Sequence, residues 1–386
     1  MQRFFVSLFL ILSIFIDVNA QTWEQVFKKA EKQFAKGKYH KVQKQIDKLR
    51  DKHIAKKFGD NPSLYPLTNI VEARANQAMS DYEGMEKMLD QALLKLNQFK
   101  VGHPYNYTMG LLRIVDIYLD YGNFKKADSI QTMLDKLSPG FYQSDVLEME
   151  VKIRRAITDV ELGYYNEAGQ ALDELIRVWP TKLKLAYARE SVTSEDEDYR
   201  NQLLVRLFTA EAKILSRKGE YEKAIALLDS RGKQVNRLVD GRSAAYVDFR
   251  VLEADTYLSY GNSSEARKLA GRITTLKPPG RLYEKAADVD IRACLEEDKI
   301  TDAVGTINVL QTQLIKARVK RDYAYLLSNY YGGLIRTYDA STEENVVVRI
   351  NSVLGKSSSL LPMDHRIRTD IMEAGIDYIY DTKRSE

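Results

Sequence analysis

The chain has 386 residues, 44% hydrophobic and 29% charged, with eight prolines. This composition excludes a disordered or membrane-filling chain, and the formal net charge of +4 leaves no nucleic-acid footprint over the whole chain. A single cysteine, Cys294, excludes an internal disulfide, and its apolar neighbours Ala293 and Leu295 mark it as a small buried residue rather than a reactive thiol.

Residues 1–20 read as a secretory leader. Arg3 gives a positive start, positions 4–16 are an apolar run of thirteen, and Val18-Asn19-Ala20 is a small-residue cleavage pattern. Thirteen residues fall short of the roughly eighteen that a membrane-spanning helix needs. Gln21, not cysteine, follows the expected cut, so no lipid-modified anchor is indicated. The remaining 366 residues suffice for two compact domains or one long repeat array.

The first unit, 21–55, has Trp23, Val26, Phe27, Ala30 and Phe34 at helical spacing, a turn at Gly37-Lys38-Tyr39, and a second helix with Val42, Ile46 and Leu49 on one face. Lys41, Lys44, Lys48, Lys52 and Lys56 step along another face. Residues 21–60 hold twelve Lys or Arg against five Asp or Glu. Such a stripe reads as a solvated convex face or as a contact with an anionic surface. The pattern repeats more weakly over 61–96, with Ser80-Asp81-Tyr82 at the turn and Met85 five residues on.

Residues 112–139 are the clearest unit. Gly122, Ala127 and Pro139 recur at the same offsets as Gly163, Ala168, Pro180 and as Gly261, Ala266, Pro278. Seven of the sixteen positions in 112–127 are identical to those in 251–266, including Asp116, Tyr118, Leu119, Tyr121, Gly122 and Asn123 against Asp255, Tyr257, Leu258, Tyr260, Gly261 and Asn262. Glycine permits a tight reversal, alanine lets two helices approach, and proline stops the second helix. Turn positions 37, 80, 122 and 163 lie 43, 42 and 41 residues apart, whereas the next, Gly219, comes 56 after Gly163. The surplus holds 181–198, expected as an acidic loop. That loop is either solvated, or touches a partner or hinges two half-arrays, and Ser194 with Glu197 forms a capping box for the next helix.

Beyond it, Gly219-Glu220-Tyr221 with Ala224 resumes the array, and Asp298-Lys299-Ile300 with Ala303 turns the following unit without a glycine. Gly332-Gly333 within a helical pattern suggests close helix contact. Ser341 to Glu344 is a second capping box, and 364–382 reads as a closing helix.

Turn glycine, second-helix alanine, terminal proline and the aromatic residue two after the turn (Tyr39, Phe124, Tyr165, Tyr221) resemble the tetratricopeptide repeat. The period and the Gly102-His103-Pro104 start are similar to its longer, kinesin light chain type. The standard repeat is 34 residues, so the surplus implies a longer first helix or inter-unit loop. The resemblance covers about 23–355 and implies an all-α, right-handed solenoid of antiparallel helical hairpins with a concave face lined by first helices. The expected division is leader 1–20, half-array 21–180, insert 181–198, half-array 199–355, and capping helix and tail 356–386. Proteins of this family bind peptides or protein surfaces, and the repeat implies no catalytic activity.

The residues themselves point the same way. His40, His53, His103 and His365 have no metal-ligand spacing, and no phosphate loop, serine elbow or dinucleotide fingerprint occurs. No catalytic, cofactor or metal site is therefore expected. The tyrosines read as packing residues, and the glycosylation-like Asn106 and Asn262 tripeptides as chance matches. By the family resemblance, the position six before the turn lies on the concave face, giving Asp116, Lys213 and Asp255. The position thirteen before adds Arg206 and Asp248. These five are the candidate partner-binding residues. Their alternatives are a solvated groove or hydrogen bonds to the neighbouring repeat, because burying polar groups unpaired costs several kcal/mol. The reading is an exported, non-enzymatic interaction scaffold of the cell envelope for a protein or peptide partner, with an envelope glycan as the alternative ligand. An open array with no enclosed pocket is expected. The leader reading predicts that N-terminal sequencing of the mature protein starts at Gln21, and recovery of peptides from 1–20 would refute it.

Overall fold

The computed structural model describes residues 29–50 (31, 35 and 49 apart), 65–338 (143–144, 190–193 and 279 apart), 352–361 (359 apart), 368–369 and 371–372. The expected leader, the Ser341 capping box, and Trp23, His53 and His365 lie outside the described residues. Of the expected closing helix only four residues are described, and these are helical.

The named helices are α1 (Tyr39–Lys48), α2 (Tyr65–Ala78), α3 (Tyr82–Phe99), α4 (Pro104–Tyr121), α5 (Phe124–Asp135), α6 (Asp145–Leu162) and α7 (Tyr165–Arg189). They continue with α8 (Ser194–Arg217), α9 (Tyr221–Leu238), α10 (Ala244–Ser259), α11 (Ser263–Thr275), α12 (Gly280–Glu296), α13 (Ile300–Ala317) and α14 (Arg321–Tyr338). The array expected from the repeats is all-α, as read from the sequence.

One backbone device makes the hairpins. The turns between α2 and α3, α4 and α5, α6 and α7, α8 and α9, α10 and α11, and α12 and α13 each carry a left-handed residue. These are Ser80 (φ 59°), Gly122 (83°), Gly163 (87°), Gly219 (76°), Gly261 (87°) and Asp298 (56°), and Gly37 (66°) precedes α1. The amide after each turn residue reaches back five positions, as from Asn123 to the Tyr118 carbonyl at 2.9 Å and from Lys299 to that of Cys294 at 2.8 Å. This closes the orphan carbonyls of the first helix. The left-handed state costs an L-residue roughly 1–2 kcal/mol, which is why glycine dominates. Ser80 and Asp298, short and polar, take the same geometry.

The recurring asparagine after the glycine caps the second helix. The Lys126 amide donates to Asn123 Oδ1 (3.2 Å) and the Glu265 amide to Asn262 Oδ1 (3.1 Å), while the Gly84 amide donates to Asp81 Oδ1 (3.1 Å). Five positions after the turn, Met85, Ala127, Ala168, Ala224, Ala266 and Ala303 are all fully buried. Cys294 is buried too, and burial pushes its thiol up to about 11.

Three expectations fail here. Helix α5 stops before Pro139 and α11 before Pro278, but α7 runs through Pro180 to Arg189. A proline removes one backbone bond and crowds the carbonyl four residues back. Pro180 faces solvent, whereas its neighbour Trp179 is fully buried in the core, so packing carries the helix past it. Consequently 181–198 is not a loop: 181–189 belong to α7, and α8 begins at Ser194. The long interval between Gly163 and Gly219 is taken up as extra helical turns. One core cluster, from Val146 to Phe249, bridges the expected half-arrays. The long period elsewhere comes from first helices such as α4 and α6, of 18 residues each. Gly333 is not at a close helix contact, since a Cβ there would meet nothing within 4 Å among the described residues.

A fourth expectation, the open array, also fails. The turn at the α2–α3 hairpin meets the far end of the chain. The Lys320 amide donates to the Met79 carbonyl (2.8 Å), Lys320 Nζ lies 2.7 Å from Asp81 Oδ1, and Arg281 Nη1 donates to Ser80 Oγ (3.3 Å). The Tyr82 and Tyr323 rings meet edge to face at 6.1 Å, and one apolar cluster contains both Leu67 and Leu327. Each hairpin adds a small rotation to the stack, and here the sum brings first and last repeats together.

The small-residue contacts give a direct check. Ala127→Leu or Ala266→Leu should each destabilise the protein by roughly 1–3 kcal/mol through overpacking, read as a lower denaturation midpoint. An unchanged midpoint in both variants would refute the close-approach role.

Candidate functional site

First helices pack on first helices: α2 on α4, α4 on α6, α6 on α8, α8 on α10 and α10 on α12. This inner layer carries the five candidate residues. Each has an intramolecular partner. Asp116 on α4 accepts from Arg154 Nη2 (3.1 Å) on α6 and from Arg206 Nη1 (2.6 Å) on α8. Lys213 donates to both Glu161 oxygens at 2.7 Å. Asp248 accepts from Lys285 (2.6 Å) and Asp255 from Arg292 (2.6 Å). All five are thus hydrogen-bonded within the protein, Asp116, Lys213, Asp248 and Asp255 to a neighbouring repeat and Arg206 to Asp116 two inner helices away. It also explains why Asp116 and Asp255 recur, since each ties its helix to an arginine on the next inner helix, 38 and 37 residues on.

Arg154 is the centre of the strongest network. Its side chain is fully buried, and its remaining guanidinium bonds go to Glu150 (3.3 Å) and to the Tyr199 hydroxyl (2.7 Å), which in turn donates to Glu150 (2.9 Å). Burial alone would raise the Asp116 carboxyl, but Arg154 and Arg206 together hold it well below the usual carboxylate range. Glu150, by contrast, is pushed up, because burial outweighs the pull of Arg154.

Asp120, one turn beyond Asp116 on α4, stands apart. It has no hydrogen-bond or ion-pair partner among the described residues. It contacts solvent, yet charged groups from three further inner helices act on it: Arg206 of α8, Asp248 of α10 and Lys285 of α12. Asp120 is itself exposed, on the side of α4 that faces these charged groups. Desolvation by the helices packed around it pushes its carboxyl up despite Lys285 and Arg206, with Asp248 and Asp116 adding to the rise, while the side chain keeps contact with solvent. Those two cations are already paired with Asp248 and Asp116, so Asp120 presents an uncompensated negative charge to the interior.

A second polar cluster sits at the seam that closes the array. Tyr323 donates to Glu284 Oε1 (2.6 Å), Arg281 lies 3.1 Å from Glu284 Oε2 and 4.3 Å from the Tyr323 ring centroid, and Tyr331 donates to Asp288 (3.1 Å). Among the described residues no group of three or more His, Cys, Asp or Glu could hold a metal ion, and no helix is long and apolar enough to cross a membrane.

The sequence reading missed several of these groups although its own offsets reach them. Six before the turn at Asp298 is Arg292, and thirteen before it is Lys285; thirteen before Gly163 is Glu150. Applying the offsets to every unit would have found all three. Arg154 and Asp120 lie off that register, and no sequence signal marks them.

Asp116 and Asp120 should respond oppositely to neutralisation. Asp116→Asn leaves buried Arg154 short of a counter-ion and should cost roughly 3 kcal/mol, the low end for a broken buried pair because Glu150 remains. Asp120→Asn removes a disfavoured charge and should leave stability equal or higher at pH 7, by urea unfolding. The linkage has matching signs. The depressed Asp116 carboxyl adds stability above the unfolded value near pH ~4, and this is lost as pH falls below it. The raised Asp120 carboxyl works in reverse, removing stability as pH rises from about 4 through its folded value. Equal responses of the two variants would refute the assignment.

No family model matches this sequence, and no curated protein is significantly similar to it. Among solved structures, the fold is similar to that of a Rap protein complexed with competence and sporulation factor, at a TM-score of 0.55 and 9% identity over 94% of this chain and 98% of that one. A tetratricopeptide repeat protein from Parabacteroides merdae ATCC 43184 aligns at a TM-score of 0.43 and 14% identity over 78% of this chain and all of that one. With its repeated left-handed turns, buried alanines and inner layer of first helices, the chain has the fold of a tetratricopeptide-repeat-like α-solenoid.

Proposed function

We propose that this protein is a non-catalytic interaction scaffold that takes a protein or peptide partner into the interior enclosed by its inner helices. Asp120 carries the reading. It is an exposed carboxylate with no partner among the described residues, beside Arg206 and Lys285, which are paired with Asp116 and Asp248. A cationic group on a partner would supply the missing counter-charge in an environment where water screens less than in bulk. The similar Rap structure is itself a complex with a factor, which supports a binding role for this architecture.

The leader-like residues 1–20 support placing the scaffold outside the cytoplasm, in the cell envelope or beyond. A glycan ligand is less well supported. The exposed Tyr105, Tyr164 and Tyr260 sit at helix ends, and the exposed Tyr325 within α14 has the Lys356 ammonium 4.5 Å from its ring centroid. The hydroxyls of Tyr199, Tyr323 and Tyr331 are tied to Glu150, Glu284 and Asp288. An aromatic platform for sugar stacking would need free faces in a row.

The test is capture from crosslinked envelopes with Asp120→Lys, a change that breaks no pair among the described residues. Partner recovery should fall tenfold or more while helicity and melting hold. Undiminished recovery by this variant would remove the interior as the binding face.

A further inference from the structure

Closing the array joins two basic segments that are far apart in the sequence. Ala317 packs in one apolar cluster with Tyr39, Val42 and Ala30. This sets the α13–α14 turn, with Lys316, Arg318, Lys320 and Arg321, against α1 and the turn before it, with Lys36, Lys38, Lys41, Lys44 and Lys48. All nine cations are exposed. Lys320 is held by Asp81. Lys36, Lys38, Lys41, Lys44, Lys48, Lys316 and Arg318 have no carboxylate partner among the described residues. Asp47 and Asp322 are the exposed carboxylates on these two segments.

His40, at the join, reports the local field. Burial lowers its basicity, and the charges acting on it in addition, Arg318, Lys41, Lys44 and Lys38, are all cations. His40 and Arg318 are 278 positions apart, so neither segment alone makes this surface. Beside Lys316 stands Ile315, 73% exposed and among the most exposed large aliphatic side chains described.

We propose that this composite face docks the scaffold onto a lipid bilayer bearing anionic headgroups. Unpaired lysines and arginines gain from a negative surface potential within about a Debye length. An exposed isoleucine among them can enter the boundary between headgroups and acyl chains, which a soluble acidic protein does not offer. The face is separate from the interior and does not depend on Asp120.

The experiment is co-sedimentation of the full-length protein with vesicles of phosphatidylcholine alone or with 30% phosphatidylglycerol. The excess on anionic over neutral vesicles is the readout. The wild type should show a clear excess that disappears in high salt. Lys41→Glu with Lys44→Glu, and separately Lys316→Glu with Arg318→Glu, should each lower it by roughly tenfold or more. Ile315→Ser should lower it while leaving binding to soluble polyglutamate unchanged. Lys316→Gln with Arg318→Gln serves as a milder second variant, and circular dichroism checks the fold of each. No anionic excess, or an excess untouched by the α13–α14 turn variants, would overturn the proposal. Equal loss on vesicles and polyglutamate with no effect of Ile315→Ser would also overturn it, in favour of an acidic protein surface.

Discussion

Each hairpin of this solenoid depends on a single residue forced into the left-handed region between two helices. That conformation ends the first helix, satisfies its last carbonyls and aims the second helix back along the first. Everything larger is built by repeating it: a fully buried small residue five positions on, an inner layer of first helices, an outer layer of second helices. Ser80 and Asp298 show that the geometry, and not glycine as such, is what the fold requires.

The repetition has an electrostatic consequence. A curved array presses the polar faces of its inner helices towards one another, so charges that an isolated hairpin would show to water meet partners from neighbouring repeats. Arg154 is the extreme case, a fully buried guanidinium whose bonds all end on protein. Desolvation offsets much of the attraction within such networks, so they add less net stability than their number suggests. They also define the interior by exception. With Arg206 and Lys285 both taken, Asp120 is conspicuous as a carboxylate without a partner among the described residues.

Closure couples these layers. The seam at Met79 to Tyr82 is polar and aromatic rather than a plain apolar plug: backbone to backbone at Lys320, ion pair at Asp81, hydroxyl at Ser80, ring on ring at Tyr82. It brings α2–α3 onto α12–α14 on one side and assembles the basic face at α1 and the α13–α14 turn on the other. Two surfaces of opposite character therefore arise from one join.

The sequence by itself determined the local rules. The turns, including the two without glycine, the alanine contacts and the helix-pair order could all be read from it, because each is settled within about twenty neighbouring residues by backbone sterics and side-chain size. The candidate positions at fixed offsets from the turns were legible for the same reason, as was the recurrence of Asp116 and Asp255. Tertiary structure decided the rest. Pro180 stays helical because a buried Trp179 and packing on neighbouring helices outweigh one lost backbone bond. The pairing of Asp116 with Arg206, 90 residues away, the isolation of Asp120 and the meeting of Ser80 with Arg281, 201 residues away, depend on the summed rotation of many helix interfaces. That sum is set by how whole side-chain layers interlock, and no single stretch of sequence contains it.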